Sequence, residues 1–199
     1  LNCSEVAAVL QLDPWLSRVR VFQRKRGECQ NRRKHVAPRA AAWGLEHERD
    51  ALLAYAAHSG AAPAAVLEPC GFVRHPSVAW LGGVPDAALP SPDGGVLLVE
   101  VKCPVGGAQC RQGGVAPPPP PRYVVQMQCL MQCCSADACD YVEWRANAPL
   151  TVVRVPRDDA WFASVLPNLR RFWEDVCDDE DGDDQVPPPP KRRRVMCVD

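Results

Sequence analysis

Three side chains in the stretch 81–104, LGGVPDAALPSPDGGVLLVEVKCP, have the types and spacing to do chemistry: Asp86, Glu100 and Lys102. The stretch reads as two short strands joined by a tight turn. The first carries Asp86, and the second, Val96–Lys102, ends in Glu100-Val101-Lys102. Pro90, Pro92, Gly94 and Gly95 supply the turn chemistry between them. Val96-Leu97-Leu98-Val99 is an unbroken apolar run, the pattern of a strand buried on both faces. Side chains alternate along a strand, so Glu100 and Lys102 share one face and Val101 takes the other. A carboxylate and an ammonium at the end of a buried strand are costly unless they are paired or bind a metal. With Asp86 from the neighbouring strand, two carboxylates, a lysine and the Val101 carbonyl meet at one point. Such oxygen ligands suit a hard divalent cation, Mg²⁺ or, by the same chemistry, Mn²⁺. That is the equipment for metal-assisted hydrolysis of a phosphodiester.

Several elements must position this group. Ser4 to Leu12 reads as a short helix with Ser4 as its N-cap, and a helix start of this kind also suits an anion. Trp15 to Arg26 reads as an amphipathic helix with Trp15, Val19 and Phe22 on its apolar side, and Gly27 to Pro38 as a basic loop. Ala40 to His58 is the central helix, on which Leu45, Glu48, Leu52 and Tyr55 share one face by the helical period. A glutamate on an apolar face either reaches the metal site or pairs with a buried arginine, and the pattern leaves both open. Glu46 lies on the opposite side with Arg49 and Asp50.

Val66-Leu67 and Gly71-Phe72-Val73 read as short strands, and 105–121 as a Gly/Pro-rich loop. Tyr123 to Cys134 is a second helix, with Tyr123 and Gln126 one turn apart. Asp140–Trp144 and Leu150–Val155 read as the last strands. Asp158 to Val176 is a closing helix with Trp161, Val165, Leu169, Phe172 and Trp173 toward the core, bent at Pro167. His75, near a strand end, reads as structural.

Residues 1–177 form one folded unit on this reading, and 178–199 a tail that cannot pack a core. The formal net charge of -1 hides a separation, with nine basic residues and one acid from Arg18 to Arg39 and six acids from Asp178 to Asp184. The basic segment suits a phosphate-binding track, or equally a solvated helix face. No apolar run is long enough to span a membrane and no secretory signal is present, so a cytoplasmic or nuclear location is expected, with the cysteines reduced. The chain begins with Leu1 rather than Met, which leaves room for residues ahead of it. Cys129, Cys133, Cys134 and Cys139 lack a C-x-x-C pair and read as small core residues rather than a zinc site. Lys191-Arg192-Arg193-Arg194, within P-K-R-R-R-V, looks like a nuclear localisation signal, with an import receptor as its partner.

Pro85-Asp86 followed by Glu100-Val101-Lys102 resembles the PD-(D/E)XK nuclease superfamily. Tyr123-Val124-Val125-Gln126-Met127-Gln128 is similar to the Y-x-x-Q-x-Q motif of its lambda-exonuclease-like, YqaJ-type viral recombinase family. Cys3-Ser4-Glu5-Val6, followed by Leu12-Asp13-Pro14-Trp15, resembles that family's opening A-S-E-[IV] segment. Trp43-Gly44 with Glu48 and Ala51 resembles its W-G-x-x-x-E-x-x-A helix, and Cys103-Pro104 also fits. Two departures stand out. The usual S-P-D-G is Val84-Pro85-Asp86-Ala87 here, and the basic residue that normally precedes the A-S-E segment would fall before Leu1. Ser91-Pro92-Asp93-Gly94 spells the usual motif, but Asp93 is read as a turn residue because it lies only seven positions before Glu100.

The resemblance implies an α/β fold, a central mixed sheet flanked by helices, and a Mg²⁺-dependent exonuclease acting on double-stranded DNA ends in recombination. Asp86, Glu100, the Val101 carbonyl and Glu48 would hold the metal. Lys102 would position or deprotonate the attacking water, its pKa lowered by desolvation beside the cation. Gln126 would orient a phosphate or a ligand carboxylate. Ser4, Arg18 and Tyr123 would contact DNA, and the protein could work as a homo-oligomer. Two other readings stand beside this one: a nuclease fold that only binds DNA, and a nuclear interaction protein acting through its charged tail.

Overall fold

The computed structural model describes residues 1–28, 39–91, 94–106 and 117–178. Most of the basic loop, Pro92 and Asp93 of the turn, the centre of the Gly/Pro-rich loop and the tail with its basic run lie outside the described residues.

A four-stranded mixed sheet carries the molecule, in the order β3-β4-β5-β6. Its second strand, β4 (Val96–Lys102), is the apolar run that ends in Glu100 and Lys102. It pairs antiparallel with β3 (Ala87–Pro90), from Ala87 opposite Val99 to Pro90 opposite Val96. On its other edge it pairs in parallel with β5 (Ala138–Glu143), which in turn pairs antiparallel with β6 (Thr151–Pro156). Both faces of the sheet are packed over, with Leu98 buried on one side and Val99 on the other, which explains why β4 needs consecutive apolar residues. A parallel pair cannot be joined by a tight turn, and the crossover here contains α5 (Pro121–Cys134).

The sheet separates two cores. On one face Leu98, Cys139 and Tyr141 meet Leu130 and Met131 of α5, together with Val6 and Val9 of α1 (Val6–Val9) and Leu169 and Phe172 of α6 (Asp159–Cys177). On the other, Ala87, Val99, Val101 and Val142 meet Leu52 and Tyr55 of α3 (Arg39–Ser59) and Val66 of α4 (Pro63–Val66). By alternation from Leu98, Glu100 and Lys102 fall on the α5 side and Val101 on the α3 side.

The expected mixed sheet flanked by helices is therefore present, with differences in detail. Asn2, not Ser4, caps the N-terminus: its side chain accepts from the Ser4 N–H at 3.1 Å, and Glu5 returns the capping box by accepting from the Asn2 N–H at 3.0 Å. A 3-10 turn, Cys3–Glu5, then leads into α1. The second helix, α2 (Arg18–Lys25), starts later than expected, at a Ser17 cap, and buries Val21, while Val19 and Trp15 are exposed. Val66 ends α4, a turn begun by Pro63 at its first position, and is not in a strand. Val73 belongs to β1 (Val73–Arg74), which pairs with β2 (Gly82–Gly83) in a separate two-stranded sheet. Leu45 is 77 % exposed although it shares its phase with Leu52 and Tyr55. Pro121 opens α5 rather than closing the loop. The closing helix, α6, runs on as one helix with Pro167 inside it, its cap Asp158 accepting from the Trp161 N–H. His75 is structural as read: it stacks on Phe162 and accepts from the Ser77 and Val78 N–H groups. No helix among the described residues is long and apolar enough to cross a membrane.

Candidate active site

The site forms where β4 outruns β3. The β3 pairing ends at Ala87 opposite Val99, so the next donor on that edge of β4, the Val101 N–H, has no strand partner. Asp86 takes that place, its Oδ2 accepting from the Val101 N–H at 2.7 Å. Asp86 therefore stands just ahead of the strand rather than within it, held by the backbone it caps.

Glu100 is 1 % exposed. Its Oε1 accepts from Lys102 Nζ at 2.5 Å and from Gln126 Nε2 at 2.6 Å, and Lys102 Nζ also lies 3.4 Å from Gln126 Oε1. Gln126 comes from α5, so crossover helix and strand are bonded at this point. Glu100 Oε2 is buried with no hydrogen-bond partner. An unpaired buried carboxylate oxygen is costly. Burial pushes the Glu100 carboxyl up to about 7, despite Lys102, with Asp86 and Glu48 adding repulsion. Asp86 is raised by burial, against the pull of Lys102 and the Val101 N–H. Glu48 is raised by burial and then by Asp86.

The pKa of Lys102 is expected to be lowered beside a cation; with its protein neighbours alone the balance differs. Burial alone would lower its pKa, but Glu100 and Asp86 outweigh burial and the net direction is up.

A cavity of ≈ 690 Å³ opens over this group, its walls including Glu48, Asp86, Val101, Lys102, Tyr123 and Arg122. The structure thus brings Glu48, Asp86, Val101, Lys102 and Tyr123 to one cavity, with Glu100 and Gln126 bonded to Lys102. Glu46 is exposed, as its helix phase predicts. Ser4 is exposed and does not line the cavity. Nor does Arg18, whose guanidinium donates to the Val9 carbonyl and Asn168 Oδ1 at 3.2 and 3.0 Å and lies 4.9 Å from the Phe172 ring centre. That cation ties α2 to α6. Trp15 and Arg122 also line the cavity, and sequence reasoning missed both as site residues. The available signal was Arg122 beside Tyr123, a cation next to an aromatic at the head of a motif.

Among the described residues no three His, Cys, Asp or Glu side chains form a ready-made metal cage. Mg²⁺ does not need one, because it keeps several waters and binds through one or two carboxylates plus substrate phosphate. The unpartnered Glu100 oxygen, with Asp86 and Glu48 near enough to repel it, fits that requirement. Cys129, Cys133 and Cys139 are buried in the α5-side core.

Similar folds occur among solved structures. An alkaline exonuclease, LHK-Exo from Laribacter hongkongensis, is 25 % identical with a TM-score of 0.65, over 88 % of this chain and 87 % of that one. LHK-Exo in complex with dAMP matches over the same shares at 24 % identity and a TM-score of 0.68. A phage-related exonuclease from Haemophilus somnus 129PT is 12 % identical with a TM-score of 0.60, covering 91 % of this chain and 96 % of that one. The fold is thus of the PD-(D/E)XK type. A comparison with curated proteins finds no match. A family model described as the YqaJ-like viral recombinase domain matches residues 1–137, a span that includes Glu48, Asp86, Glu100, Lys102 and Gln126. With more than half of its length matched, the chain belongs to the family of YqaJ-like viral recombinase domains.

Proposed function

We propose that this protein is a divalent-metal-dependent DNA nuclease, and within that class an exonuclease acting on the ends of double-stranded DNA. The observation that carries the reading is Glu100: fully buried, bonded through one oxygen to Gln126 and to Lys102, which lines the cavity with Asp86 and Glu48, and unpartnered at the other oxygen. Family membership and the exonuclease folds support it. Asp86, Glu100, the Val101 carbonyl and Glu48 would hold the cation, with Mg²⁺ the expected ion. When bound, it supplies positive charge to a phosphate oxygen and acidity to a water.

The protein's own groups do the rest. Lys102 positions the attacking water or takes its proton, and as an ammonium it offsets negative charge that develops on the phosphate. Gln126 holds Glu100 and Lys102 in register from α5, so neither has to reorganise when the substrate arrives. Asp86 is oriented by the Val101 N–H, which ties it to the strand carrying Glu100 and Val101. The test is cleavage of linear and closed circular double-stranded DNA by purified protein, with Mg²⁺ and with a chelator. Loss of the linear form alone, stopped by the chelator, is the expected result. Cutting of the circle would make the protein an endonuclease, and binding without cleavage would make it a nuclease fold that only holds DNA.

A further inference from the structure

Trp15 is 73 % exposed at the rim of the cavity that contains Asp86 and Lys102. A large aromatic side chain usually buries most of its surface. This one is instead held out in a fixed place. Asp13 Oδ1 accepts from the Trp15 and Leu16 N–H groups at 2.8 and 3.0 Å, which fixes the backbone just ahead of α2. The Arg122 guanidinium lies 4.6 Å from the Trp15 ring centre and 4.2 Å from that of Tyr123, between the two rings, and donates to Tyr123 Oη at 2.9 Å. Lys102 Nζ lies 4.9 Å from the Tyr123 ring centre, and Tyr123 stacks on buried Tyr141 with centres 5.9 Å apart. A continuous row of rings and cations therefore runs from the sheet interior, past the ammonium of the site, to an indole in water.

Such a row has no evident use in holding the core, because its outer member is in solvent. It does suit a nucleotide strand. A phosphate held at Lys102 carries bases on either side, and the rim is where a neighbouring base would arrive. Arg122 supplies positive charge along the strand's path, and the indole offers a flat face to any base. We propose that Trp15 is a stacking platform for a nucleotide base of the DNA strand whose phosphate enters the site, held in place by Arg122. The inference rests on the nuclease reading above for the direction from which the strand comes. Trp15 and Arg122 are positioning residues. They take no proton and hold no metal, and the recognition they provide is indifferent to base identity.

The test uses the full chain and a short blunt-ended duplex carrying an internal fluorophore. Binding is followed by anisotropy, and cleavage of the same duplex is followed in parallel. A second duplex has abasic residues at all its terminal positions. Trp15→Ala is expected to weaken binding of the intact duplex about tenfold, the weight of one stacked base, and Trp15→Phe to stay within about twofold of the natural protein. On the abasic duplex, natural protein and Trp15→Ala should bind alike. Equal binding of the intact duplex by Trp15→Ala and the natural protein would overturn the platform, as would the same tenfold loss on the abasic duplex. Cleavage by the natural protein together with unchanged binding by Trp15→Ala would overturn the platform alone. Stacking-dependent binding without cleavage would overturn the nuclease reading and leave the platform standing.

Discussion

Glu100 carries a cost that the folded protein does not relieve by itself. One of its oxygens is bonded twice and the other not at all, and the carboxyl is pushed up to about 7 by burial. Glu100→Gln removes the charge and keeps the shape, and Asp86→Asn does the same at the Val101 N–H. Each is expected to lower Mg²⁺-dependent cleavage by at least about 10²-fold, in single-turnover assays with the far-ultraviolet spectrum unchanged. Near-natural rates for either would remove that residue from the mechanism. Glu48 and Glu46 offer a sharper comparison because they lie two residues apart on α3. Glu48 lines the cavity and feels Asp86. Glu46 is exposed. Glu48→Gln should cost about 10- to 100-fold in rate and raise the Mg²⁺ concentration needed, with Glu46→Gln close to the natural protein. A Glu46 variant that failed while Glu48→Gln worked would mean that α3 presents a different face to the site.

At the level of elements, the position of Glu48 depends on how α3 is anchored. Two turns further along, Tyr55 Oη donates to Asp140 Oδ2 at 2.8 Å, and Asp140 accepts twice more from Arg154 at 2.9 and 3.0 Å. The clamp joins α3 to β5 and β6 through a carboxylate that would otherwise be buried unpaired. Tyr55→Phe should lower stability by about 1–2 kcal/mol in urea unfolding, since it leaves Asp140 with one bond fewer. An unchanged midpoint would show that Arg154 satisfies Asp140 alone.

The same helix shows how far the sequence could be read. The helical period placed Glu48, Leu52 and Tyr55 on one inward face, and the apolar run placed β4 at the centre of the sheet. Leu45 obeys the same period yet is exposed, as are Arg39 to Ala42 before it. Periodicity says which residues share a face, not how far the neighbouring sheet extends beneath them. Trp15 was misplaced for a related reason, because an indole ahead of an amphipathic helix looks the same whether it packs inward or stands at a rim. The N-terminal cap is legible in the sequence: Asn2 and Glu5 have the spacing of a capping box, but Ser4 between them is as good a cap by residue type. Gln126 could be placed at the site only through the family motif, since its bond to Glu100 spans a crossover that no local pattern predicts.

Across the whole molecule, the N-terminal segment is built into the core rather than trailing from it. Cys3, Val6 and Val9 pack on the α5 side of the sheet, and Glu5 is paired with Lys25 at 2.7 Å and Arg24 at 2.8 Å. Burial pushes the Glu5 carboxyl up, but the bonds from Lys25 and the Asn2 N–H outweigh it, and the net direction is down. A carboxyl depressed in the folded state adds stability above its unfolded pKa, and that stability is lost as pH falls through the folded value. Glu5→Gln should therefore be less stable than the natural protein at neutral pH, by about 1 kcal/mol or less because solvent screens the pair. The gap should close in acid, below the ordinary carboxylate range. Urea unfolding at pH 7 and in acid checks this, and a gap that persisted in acid would assign the loss to packing. The parallel pairing of β4 with β5 has one more consequence, for the order in which the chain assembles. The β3–β4 hairpin is local and can form early, whereas β5 reaches β4 only after the crossover closes. On that order Asp86, Glu100 and Lys102 would meet while still in water, and α5 would bring Gln126 afterwards. Docking of α5 would then bury Glu100 and bond it to Gln126 in a single step.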